Sequence, residues 1–214
     1  MKHQTKLFLT RARPGTAALL LAGSLTLAGC HTKETVGNDA TVLGTTHVCS
    51  SCHGLQGLSE NPDFPILAGQ QHDYLVAQLK AFRDKTRADP HAHTYMWGMA
   101  AKLNDATIDG LATYFSQQTP ASPQVNDPAL VAAGANIFKN GIPATNVPAC
   151  AACHGDNAGG NGAIPRLASQ HAHYLVEQLE AFKSNSRANE MMHANAEHLT
   201  PQEISEVTAY LGSQ

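Results

Sequence analysis

The sequence has 214 residues, long for one domain and comfortable for two of about 100 residues each. Lys and Arg number 14 against 17 Asp and Glu, and four of those 14 fall in the first 13 residues, so the chain beyond residue 29 is clearly acidic. That balance argues against nucleic acid as a partner and for a protein with a basic docking face.

Lys2, Lys6, Arg11 and Arg13 make a basic start, and an apolar run from Ala17 to Ala28 follows. The run is too short to span a bilayer and reads as a secretory signal. It closes on Leu27-Ala28-Gly29-Cys30, which resembles at all four positions the lipobox of bacterial lipoproteins. In that class the chain is cut before the cysteine, which then takes a lipid. The expectation is a signal peptide over 1–29, a lipid on Cys30, a tether over 30–39, and a periplasmic protein anchored to a membrane.

Next comes Cys49-Ser50-Ser51-Cys52-His53, matched later by Cys150-Ala151-Ala152-Cys153-His154. Cys-x-x-Cys-His is the attachment signature of c-type haem. One helical turn sets two thiols against the two vinyl groups of a porphyrin, and the adjacent imidazole then faces the iron. Zinc is a poor alternative, because the first cysteines of the two pairs lie 101 residues apart. A thioredoxin-like redox pair would need a βαβ context that is absent. A disulfide within each pair would leave both histidines unexplained. The expected cofactors are therefore two covalently bound haem c groups, on Cys49, Cys52 and His53 and on Cys150, Cys153 and His154.

The rest of the chain is a tandem repeat. Phe64-Pro65-Ile66-Leu67-Ala68-Gly69-Gln70 returns as Ile164-Pro165-Arg166-Leu167-Ala168-Ser169-Gln170, and Tyr74, Gln78, Leu79, Phe82 and Arg87 return 100 residues on. Later the offset drops to 96, pairing Leu103 with Leu199 and Tyr114 with Tyr210, so the first copy has a loop four residues longer. Leu75, Leu79 and Phe82 recur at helical spacing, as do Ile108, Leu111, Ala112 and Phe115, and both stripes repeat in the second copy. A proline-containing linker spans 119–127, and a helix over about 128–139 precedes the second cysteine pair, with Gly134 and Phe138 as its packing residues. Thr200, Pro201 and Glu203 spell a capping box for the last helix. No alternating strand run occurs, so the fold class is all-α, with domains at 40–118 and 128–214.

Methionine and histidine are the common sixth ligands of haem iron. Counting back seven residues from the matched Leu103 and Leu199 lands on Met96 and Met192, whereas the register that takes Met99 meets Asn195. Shared coordination thus selects Met96 and Met192. His91 and His93 sit in the extra loop without counterparts, which argues against a common ligand role. The carbonyls of Pro65 and Pro165 are candidate acceptors to orient the two haem histidines, and a simple turn before a helix is the other reading of both prolines. Trp97 reads either as a neighbour of the first haem or as ordinary core.

Together the two haem motifs, the 64–70 run, the Tyr74 to Arg87 series and the Met96 to Leu103 segment resemble the cytochrome c4 family over roughly residues 40–214. The resemblance implies two cytochrome c-like domains about a pseudo-twofold axis, His/Met coordination of both irons, and electron transfer toward a terminal oxidase or reductase. Such a chain is an electron carrier and not an enzyme, with redox proteins as donor and acceptor. The alternatives are a di-haem electron-accepting subunit of a dehydrogenase, for example of sulfur compounds, and a haem peroxidase.

Overall fold

The first helix of the computed structural model, α1 at Ala40–His53, runs straight into the first cysteine motif and ends on its histidine. Residues 40–214 are described; the expected signal peptide, the lipobox Cys30 and the tether lie outside the described residues. Only Val42, Thr46 and His53 of α1 are buried, so it carries no apolar stripe that periodicity would reveal. α2, His72–Arg83, buries Leu75 and Phe82. A π-helical turn at Ala92–Met96 leads into α3, Trp97–Ala100. Asn104 then caps α4, Asp105–Ser116, accepting a hydrogen bond from the Thr107 backbone N–H.

The second copy repeats this order. α5, Pro128–Asn140, starts on proline with Asp127 as its cap. α6, Ala151–His154, carries the second motif, and α7, Ala172–Lys183, and α8, Glu190–Ala196, follow. α9, Pro201–Gly212, has the full Thr200–Glu203 capping box. The second predicted stripe is buried in both copies, as Ile108, Leu111, Ala112 and Phe115 on α4 and as Ile204, Val207, Thr208 and Leu211 on α9. Among the described residues there is no sheet, only isolated bridges at Ile142–Val147 and Asn161–Ile164.

The copies differ where the chain approaches each motif. In the second, α5 stops at Asn140 because Gly141 takes a left-handed turn (φ 68°), and a Cβ there would lie 2.2 Å from the Val147 carbonyl oxygen. A loop then leads to Cys150; in the first copy, helix and motif are one element. α5 crosses α9 through Gly134, where a Cβ would come within 1.9 Å of the Glu206 carbonyl oxygen. Phe138, fully buried, packs beside it on Tyr210 at 5.3 Å between ring centroids. Both residues thus serve helix packing, as expected.

Gly69 and Ser169 occupy the same left-handed backbone position (φ 66° and 60°). A side chain there ordinarily costs about 1–2 kcal/mol. The Ser169 hydroxyl donates to the Gln214 carbonyl, which ties down the end of the chain, and the backbone role is kept. Gly69 N–H donates to Phe115 O and Ser169 N–H to Leu211 O, each at 3.0 Å.

Candidate haem sites

α1 and α6 deliver the same three side chains in each half. Cys49, Cys52, Cys150 and Cys153 are all unbridged. Burial pushes the Cys49 thiol up to about 11 and raises Cys150 as well, so these are neutral thiols inside an apolar lining. His53 and His154 are buried, and burial lowers the pKa of each ring more than its carbonyl partner raises it. Both are therefore neutral imidazoles, the form that ligates a metal.

The tautomer follows from the partners. His53 Nδ1 lies 2.9 Å from the Pro65 carbonyl oxygen, and His154 Nδ1 lies 3.1 Å from that of Pro165. A carbonyl only accepts, so Nδ1 carries the proton and the Nε2 lone pair is left for another partner. These are the two prolines the sequence nominates.

What holds the two carbonyls is a reciprocal seam between the halves. The Gln170 side chain accepts from Ile66 N–H and donates to Ile66 O, both at 2.9 Å. Gln70 does the same to Arg166, at 2.7 Å and 2.9 Å. Each half thus fixes, through one glutamine amide, the residue that follows the other half's orienting proline. On the far side of each site, Arg83 donates to the Leu103 carbonyl at 3.2 Å and Lys183 to that of Leu199. These bonds tie the stretch after each methionine cluster to α2 and α7.

A continuous cavity of about 960 Å³ runs through both halves and is lined by Cys49, Cys52, His53 and Met96 and by Cys150, Cys153, His154 and Met192. That volume is at the upper end of the usual range for a ligand pocket, about 300–1,000 Å³. All eight residues expected from sequence to hold the haems therefore border one mostly apolar space. Two further methionines, Met99 and Met191, also reach its rim, but they are 59% and 67% exposed while Met96 and Met192 are half-buried.

The middle of the cavity is polar. Arg87 donates to Gln78 Oε1 at 2.9 Å and, across the seam, to Gln178 Oε1 at 2.7 Å. Arg187 mirrors it, donating to Gln178 Oε1 at 2.7 Å and to Gln78 Oε1 at 2.9 Å. Each guanidinium also reaches the opposite tyrosine, Tyr174 at 3.4 Å and Tyr74 at 3.0 Å. Burial opposes the charge on Arg87, but Tyr174, Tyr74 and Asp89 around it hold its pKa above the ordinary value. Repetition of Tyr, Gln and Arg is visible in the sequence; their use as a cross-seam lattice is not, because the partners belong to different copies.

Trp97 belongs to the core and not to the cavity wall. Its indole N–H donates to the Arg87 carbonyl at 2.7 Å, and it packs with Phe82, Ala92 and Ala100. His193 takes the equivalent place in the second half, with Nδ1 2.9 Å from the Phe182 carbonyl oxygen. His93 lies edge-on to Trp97 at 4.6 Å between centroids, while His91 faces Glu177 at 3.4 Å across the seam.

The cytochrome c family profile matches residues 40–119 and 131–214. A cytochrome c4 from Thiocapsa roseopersicina is 42% identical over 77% of this chain and 85% of its own length. The thiosulfate dehydrogenase electron acceptor of Thiomonas intermedia (strain K12) is 35% identical over 78% of each chain. Among solved structures, that of Acidithiobacillus ferrooxidans cytochrome c4 aligns with a TM-score of 0.76 at 38% identity, covering 79% of this chain and 99% of that one.

Proposed function

The chain belongs to the cytochrome c family, in its di-haem cytochrome c4 group, and we propose that it is a periplasmic, membrane-anchored carrier passing single electrons between respiratory proteins, toward a terminal oxidase or reductase. It holds two covalently bound haem c groups, one per half, and its partners are redox proteins. The haem supplies the one-electron chemistry, alternating between ferric and ferrous iron. Cys49 and Cys52, and Cys150 and Cys153, would hold the two porphyrins by thioether bonds. His53 and Met96 would clamp one iron and His154 and Met192 the other.

The observation that carries this reading is the pair of buried imidazoles, each with Nδ1 committed to a proline carbonyl and each on the wall of a cavity that a half-buried methionine also borders. Iron bound on both faces has no position for a substrate, so the residues serve to orient, shield and set potentials. A thioether ligand raises the reduction potential relative to a second imidazole. Redox titration of Met96→His and Met192→His tests the ligand set. Each variant is expected to lower one potential and leave the other nearly unchanged. A variant that shifts neither potential removes that methionine from the iron.

The anchor is the lipid proposed on Cys30. No helix among the described residues is long and apolar enough to cross a membrane. A second reading, a dedicated electron acceptor for a sulfur-compound dehydrogenase, is favoured by the likeness to the thiosulfate dehydrogenase electron acceptor. Rapid haem reduction by a purified thiosulfate dehydrogenase and thiosulfate would select it. Reduction only by a quinol-oxidising complex would select the first.

A further inference from the structure

Each glutamine of the seam meets the opposite haem site through a single peptide group. The carbonyl of Pro65 and the N–H of Ile66 belong to one planar, resonance-coupled amide. Its oxygen accepts from His53 Nδ1 at 2.9 Å, and its N–H donates to Gln170 Oε1 at 2.9 Å. The amide between Pro165 and Arg166 is used in the same way. Its oxygen accepts from His154 Nδ1 at 3.1 Å, and its N–H donates to Gln70 Oε1 at 2.7 Å. Imidazole, peptide and glutamine thus stand in one hydrogen-bonded row at each site, and the glutamine always comes from the other half.

Neighbouring bonds fix both ends of these rows. Gln170 Oε1 also accepts from His171 N–H at 3.0 Å, and Gln70 Oε1 from Gln71 N–H at 2.9 Å. Each Nε2 donates to a carbonyl at 2.9 Å, that of Ile66 for Gln170 and that of Arg166 for Gln70. With donors on the oxygen and an acceptor on the nitrogen, each side-chain amide has only one way round. Gln70 and Gln170 are 7% and 6% exposed, so water does not compete for these bonds.

Hydrogen bonds in a row polarise one another, by about 10–30% per bond. An acceptor on the N–H makes the oxygen of the same amide more negative and strengthens its bond to the imidazole Nδ1–H. A stronger bond there makes Nε2 a more basic ligand. A more basic ligand favours ferric over ferrous iron and lowers the reduction potential. We propose that Gln170 is a positioning residue for the first haem and Gln70 for the second, each lowering the potential of the opposite half's iron through the peptide it shares with that iron's histidine. This rests on the ligand set given under the proposed function. Met96→His and Met192→His assign each potential to its half, and they report on that ligand set independently of the glutamines.

Gln170→Met and Gln70→Met keep the length of the side chain and remove the acceptor, whereas Gln170→Glu keeps an acceptor for the Ile66 N–H. Redox titration of the two-haem protein is expected to show Gln170→Met raising the potential of the first haem. The expected change is about threefold in the reduction equilibrium, or about 28 mV at 59 mV per tenfold. The second potential should stay nearly unchanged. Gln70→Met should give the reverse pattern, and Gln170→Glu should leave the first potential at or below its original value. Nuclear magnetic resonance of the reduced protein should show the His53 Nδ1 proton moving upfield in Gln170→Met, as its bond to Pro65 weakens. A shift confined to the haem of the variant's own half overturns the proposal, as does an equal shift of both potentials or a shift of neither. Equal behaviour of the methionine and glutamate variants at position 170 overturns it too, as does failure of both methionine variants to load two haems by intact mass, since either makes the glutamines structural residues only.

Discussion

Gln170 carries more of the first site than its position in the second half suggests. Its amide saturates both backbone groups of Ile66, next to the carbonyl that orients His53, and its Oε1 also accepts from the His171 N–H. Truncation to alanine strands buried polar groups, at a cost of about 1–3 kcal/mol. The expected outcome for Gln170→Ala is a lower denaturant midpoint, with the haem spectrum of the first half changing before that of the second. The haem cysteines, histidines and orienting prolines are legible in the sequence because their chemistry is local, set by a five-residue motif and a carbonyl eleven or twelve residues away. Gln70, Gln170, Arg87 and Arg187 are legible only as repeated letters. Their roles depend on which copy faces which, and no spacing within one copy encodes that.

Among the elements, α5 and α9 show how tightly one half is built. Gly134 admits the Glu206 backbone where any Cβ would collide, and Phe138 fills the space beside it. Gly134→Leu must push the helices apart, and overpacking of this kind costs about 1–3 kcal/mol or more. Thermal unfolding should show that loss, concentrated in the second half. The paired stripes of α2 and α4, and of α7 and α9, are plain from helical spacing, and so is the capping box of α9. α1 is not, because it buries few residues and ends in the haem motif, so a cofactor rather than an apolar stripe sets its place. Nor is the π-helical turn at Ala92–Met96, where the longer loop of the first copy is absorbed into a widened turn that ends on the methionine.

At the scale of the whole molecule, duplication makes the two-domain architecture readable: a repeat with matched ends predicts matched sites. The seam could not be read in the same way, since it depends on polar side chains that an apolar-core reading assigns to the surface. The proposed attachment to a membrane belongs to this scale as well. Cys30→Ser should release the protein into the soluble periplasmic fraction with both haems and both potentials intact, as fractionation followed by haem staining would show.

In the proposed function each half clamps one haem iron between imidazole and thioether. Electron paramagnetic resonance of the oxidised protein, read with its optical spectrum before and after reduction, tests it most directly. Two low-spin, six-coordinate centres are expected in both redox states. A substantial five-coordinate, high-spin population at either centre in the purified protein would contradict it.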